Sequence, residues 1–98
     1  MTINKTKADN IITLALEGRL DTTTAPELDK EIDVVIEETA DLIFDFKDLE
    51  YISSAGLRVL LKAQKAMSAK GTMKLINVND SIMEVFFFFF FVDILTIE

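Results

Sequence analysis

No cysteine and no histidine occur anywhere in the 98 residues. Without cysteine there are no disulfides, thiolate metal sites or cysteine nucleophiles, which fits a reducing compartment. Without histidine there is no imidazole base, no histidine-paired serine triad and none of the commonest transition-metal ligand. Basic residues are also scarce: 10 against 17 acidic ones, a net charge of -7 with no basic stripe to meet phosphate backbones or anionic lipid. Nucleic acid and membrane surfaces are therefore not expected partners. The first ten residues, MTINKTKADN, lack the basic start and apolar core of a signal peptide. No apolar run approaches the roughly 20 residues that span a bilayer, so a cytoplasmic location is expected. The length and the 50% hydrophobic content suit one core, and residues 1–98 are read as a single domain.

What is present alternates strand and helix signals. Residues 2–7 and 11–17 are strand candidates joined by a turn at Ala8-Asp9-Asn10, an N-terminal hairpin. Thr24, Pro26 and Glu27 have the spacing of a helix start with a capping box, and Leu28, Ile32, Val35 and Ile36 recur at helical intervals. A helix over 25–38 follows. Asp41 to Phe46 reads as a short strand, and Ala55 to Ala69 as a helix with Ser54 at its N-cap and Lys70-Gly71 just past its end. Met73 to Val78 is a further strand. Asn79-Asp80-Ser81 offers caps for a third helix from near Ile82, with Glu84 as partner to Ser81, and Ile94 to Ile97 closes the chain as a strand. This is an α/β order: a small mixed sheet, hairpin plus parallel strands, packed with three helices. The carboxyl edge of such a sheet gathers sites, and three loops meet there: 18–24, 50–54 and 78–81.

At that edge stands YISSAGLR, residues 51–58. A hydroxyl at the mouth of a helix can cap it, and the same helix end tolerates a phosphate carrying about -1.5 to -2 charges. Gly56 leaves room for such a group, or serves close packing of helix on sheet. Asp21, at the same edge, is read as a solvated loop residue or secondary cap, or as a carboxylate placed to orient or repel whatever Ser54 carries. No base is paired with either serine, so no catalytic residue is expected. Asp45, Asp48 and Glu50 are read as solubilising charges rather than a metal site, and without a glycine-rich phosphate cradle no cofactor is expected.

Two stretches resemble one family. LEGRLDTTTAPEL (16–28) is similar to the strand, G-x-L-D loop and helix start of the STAS domain, and LIFDFKDLEYISSAGLRVLL (42–61) to its apolar strand and serine-bearing turn ending S-x-G. The spacing between them, MKLINV and the terminal DILTI also match, so the resemblance covers nearly the whole chain. In the bacterial anti-sigma factor antagonists of this family, a partner serine kinase that is also the anti-sigma factor phosphorylates the serine before x-G, and a phosphatase reverses it. Here that serine is Ser54. The resemblance implies a non-enzymatic regulatory protein with a switch loop of Asp21, Thr22, Ser53, Ser54, Ala55 and Gly56. Many antagonists carry aspartate where this chain has Ser53, which leaves a second hydroxyl as an alternative modification site.

Residues 86–91 are all phenylalanine, where family members usually have a polar, glycine-containing connection. A helix buries only one stripe of such a run. Self-association through Phe87, Phe88, Phe89 and Phe90 is therefore expected, at the edge of the sheet opposite the serine loop. The alternative function is an adaptor or assembly module, or an engineered scaffold, self-associating through the whole Phe86–Phe91 patch.

Overall fold

A computed structural model describes residues 1–89 and 91–98; the expectation for Phe90 lies outside the described residues. β1 (Thr2–Ala8) and β2 (Ile11–Leu20) form an antiparallel hairpin. Asp9 and Asn10 both have positive φ, 52° and 67°, the backbone of a two-residue turn whose twist matches the strands. α1 (Ala25–Glu38), β3 (Asp41–Ile52), α2 (Ser54–Ser68), β4 (Thr72–Ile76) and α3 (Asp80–Phe88) follow, then a single 3-10 turn at Phe91–Asp93. The sheet order is β1-β2-β3-β4, with β2, β3 and β4 parallel.

The register explains the core. Leu14 faces Phe44, and Phe44 faces Leu75, so Ile12, Leu14, Leu16, Leu42, Phe44, Phe46, Met73 and Leu75 fill one sheet face. Leu28, Ile32 and Val35 of α1, Leu57, Leu60, Ala63 and Met67 of α2, and Ile82 and Phe86 of α3 are buried with them. On the opposite face Thr13, Ala15, Ile43, Asp45, Lys74 and Ile76 remain half-buried.

Several expectations are corrected. β3 continues six residues past Phe46, because register shifts between Ala15 and Glu17 and between Gly18 and Arg19 absorb extra residues. Beyond Phe46 its buried positions, Leu49 and Ile52, fall three apart rather than two. The last strand is reduced to one parallel bridge, Leu75 to Ile97, in which Leu75 N donates to Thr96 O and Glu98 N to Leu75 O, both at 2.9 Å. α3 starts at Asp80 and its cap is Asn79, whose Oδ1 accepts from Ile82 N at 2.9 Å, so the Ser81–Glu84 box does not form. Thr24 makes no side-chain cap on α1. Its hydroxyl donates to Arg19 O at 2.8 Å instead. Gly71 is required by close approach and not by a left-handed backbone: a Cβ there would stand 1.8 Å from Ala40 O. Phe86 belongs to the core, its ring 6.3 Å from that of Phe46, which removes it from the expected surface patch.

Candidate functional site: two loops at the carboxyl edge

The loop after β2 is held by Asp21. Its Oδ1 accepts from Thr23 Oγ1 at 2.8 Å, Thr23 N at 3.0 Å and Thr24 N at 3.1 Å. The Thr23 hydroxyl, with the amides behind it, holds the Asp21 carboxyl below its ordinary pKa of 3.8. Arg19 lies 3.8 Å from Asp21 Oδ2, and its guanidinium sits 4.1 Å over the Tyr51 ring. Asp21 is thus the acceptor that builds the entry to α1. No hydrogen bond joins it to Ser54 among the described residues.

In the second loop the N-cap expected at Ser54 falls one residue earlier, on Ser53. Ser53, in extended conformation, is the N-cap of α2: its Oγ accepts from Gly56 N at 3.4 Å and its carbonyl from Leu57 N at 2.9 Å. Ser54 is the first helical residue and is exposed, and its hydroxyl has no hydrogen-bond partner among the described residues. The amides of Ser54 and Ala55 are the two orphan donors that Ser53 leaves open. Where aspartate is common at position 53 in the resembling antagonists, serine is another of the best capping residues, so the departure exchanges one cap for another.

Thr22 is exposed and Ala55 half-buried, and both open toward a groove of about 320 Å³ between α1 and α2. Gly56 does not reach this surface. It is buried, and a Cβ on it would lie 2.7 Å from Leu20 Cγ and 2.9 Å from Ile52 Cγ1, the close-packing role of the two weighed for it. The two loops are also bonded to each other, since Ser53 N donates to Leu20 O at 2.9 Å. Asp45 Oδ1 accepts from Lys47 N and from Asn77 Nδ2, each at 3.0 Å.

Sequence reading missed Arg19, Tyr51, Arg58 and Lys62. The first two meet only because the extended β3 puts Tyr51 opposite Arg19. Lys62 lies 2.8 Å from both Asp29 and Asp33, which stand one helical turn apart on α1, a contact between helices that no spacing in the sequence signals.

Away from this edge, Phe87 and Phe88 are 73% and 74% exposed and Phe89 48%, while Phe91 is half-buried. Asn79 Nδ2 donates to Leu49 O and Phe86 packs on Phe46, so the phenylalanine end of α3 points away from the serine loop. Among the described residues no helix is long and apolar enough to cross a membrane.

This arrangement, a mixed sheet with a serine-bearing helix mouth at its carboxyl edge, coincides with a family model: residues 2–98 match the STAS domain. The chain belongs to the STAS domain family. It is 31% identical over 88 residues, 88% of this chain and 76% of the relative, to the putative anti-sigma factor antagonist BtrV of Bordetella bronchiseptica. It is 30% identical to the anti-sigma-B factor antagonist of Bacillus subtilis over 80% of this chain and 72% of that one. Its fold matches the structure of the Bacillus cell fate determinant SpoIIAA in the phosphorylated form, with TM-score 0.78 and 19% identity over 99% of this chain and 91% of that one.

Proposed function

We propose that this domain is an anti-sigma factor antagonist whose docking surface is switched by phosphorylation of Ser54. The observation that carries the reading is the free, exposed Ser54 hydroxyl beside two open amides, with Ser53 already committed as the cap. A phosphate on Ser54 gains the helix N-terminus without breaking an existing bond. A phosphate on Ser53 would disturb the cap, which disfavours the alternative site. The names of the two curated relatives and the existence of a phosphorylated form of a protein with this fold support the same reading. The partners are then a serine kinase that is itself the anti-sigma factor, and a phosphatase. Adding about two negative charges to a desolvated contact outweighs a few kcal/mol of packing, so the phosphorylated form releases its partner. Incubation with the cognate kinase and ATP, followed by peptide mass spectrometry, should place phosphate on Ser54. Phosphate elsewhere with Ser54 unmodified overturns the assignment. Ser54→Asp should abolish kinase binding and Ser54→Ala retain it.

A second reading, an assembly module, rests on the exposed rings of Phe87, Phe88 and Phe89. Their apolar surface is of the kind that marks interaction sites, and a second copy of the chain is the occupant proposed. Asp80 and Glu84 flank it without a basic residue on α3, so salt should strengthen the dimer by screening like charges. Light scattering at raised concentration tests this, and a monomer at low and high salt alike refutes it.

A further inference from the structure

The groove between α1 and α2 is lined by two cations, Arg58 and Lys62, that are not equivalent. Lys62 is already shared by Asp29 and Asp33, whose hydrogen bonds raise its pKa. Arg58 is exposed and has no carboxylate within ion-pair distance among the described residues. It stands four residues after Ser54 on the same helix, so the two side chains are neighbours one turn apart. An anion placed N-terminal to a cation at this spacing is the favourable orientation, and a guanidinium matches two phosphate oxygens at once.

We propose that Arg58 is the residue that receives the phosphate on Ser54, closing an intrahelical phosphoserine–arginine pair over the first turn of α2. The proposal rests on the reading of Ser54 as the modified residue. It changes what the switch does to the surface. Phosphorylation adds an anion at the mouth of the groove and also occupies the one groove cation that no carboxylate already holds. The modified face thus has one cation fewer available to a partner, and the guanidinium offsets part of the charge the phosphate brings.

The test needs no kinase. Phosphoserine is built into position 54 during synthesis of the full chain, and the second ionisation of the phosphate is followed by phosphorus NMR in this protein and in its R58Q and K65Q variants. Arg58 favours the dianion, so R58Q should raise that pKa by about 0.3 unit, while K65Q, remote on the same helix, leaves it in place. The Arg58 Nε–H resonance should shift as the phosphate titrates. Superimposable phosphate titrations of the parent and R58Q, in proteins that circular dichroism shows to be folded, overturn the proposal. A kinase that ignores Ser54 would refute the proposed function and leave this titration unchanged, so the two failures are distinguishable.

Discussion

Alanine at Ser53 and at Ser54, introduced one at a time, separates the cap from the proposed acceptor. Ser53→Ala removes the acceptor of Gly56 N and exposes the first turn of α2 to fraying. Losing an N-cap hydroxyl costs about 0.5–2 kcal/mol. The Oγ–N distance of 3.4 Å is at the long end for a hydrogen bond, which places the loss in the lower half of that range, about 0.5–1 kcal/mol. In a domain of this size that lowers the midpoint of thermal unfolding by about 3–6 °C. Ser54→Ala deletes a hydroxyl with no partner and improves helix propensity, so its effect should stay within about 0.5 kcal/mol of zero. Ser53→Asp should keep the stability of the parent, since aspartate caps as well as serine and meets the positive helix end. Urea unfolding of the three variants against the parent provides the comparison. If Ser54→Ala proves the destabilising substitution and Ser53→Ala is silent, the assignment of the cap is wrong, and with it the claim that Ser54 is free.

Three further outcomes follow from the geometry. Gly56→Ala places a methyl against Leu20 and Ile52 and should cost about 1–3 kcal/mol by urea unfolding despite alanine's better helix propensity, so an unchanged midpoint would contradict the packing described. Phe86→Ala should cost about 3–5 kcal/mol and Phe87→Ala almost nothing, although the two are neighbours in one homopolymer run. Asp21 has a lowered pKa, so it stabilises the folded state above its ordinary value of 3.8 and the contribution is lost as pH falls through the lower folded pKa. The stability gap between the parent and Asp21→Ala should therefore be full at neutral pH and narrow in acid, whereas a gap constant with pH would show that the carboxylate charge is irrelevant.

The parts of this fold legible in the sequence are those governed by a period. α1 is legible from end to end because Leu28, Ile32 and Val35 keep helical spacing behind Pro26, and the hairpin is legible as a motif because Asp9-Asn10 suits a tight turn, although β2 runs on through Gly18 to Leu20, past the end expected at Glu17. β3 was cut short at Phe46, where bulges replace alternation with a spacing of three that no strand template contains. The N-cap of α2 is expected at Ser54, one residue late, because two adjacent hydroxyls at a helix mouth differ only in backbone conformation, which their spacing in the chain does not specify. In the phenylalanine run identical residues carry no pattern. Which ring enters the core was decided by where Phe46 lies, a contact forty residues distant in the chain.

The bond from Ser53 N to Leu20 O, together with the seating of Gly56 on Leu20 and Ile52, has a consequence for any partner. Loops that are independent must each be immobilised when a complex forms, and that ordering subtracts from affinity. Here the loop that carries Asp21 and the loop that carries Ser54 were locked to one another when the domain folded, at a point shared between their stems. A visitor to this edge meets a single stiff footprint whose ordering entropy was spent during folding. Binding should therefore resemble docking between rigid bodies, with little conformational entropy left to lose.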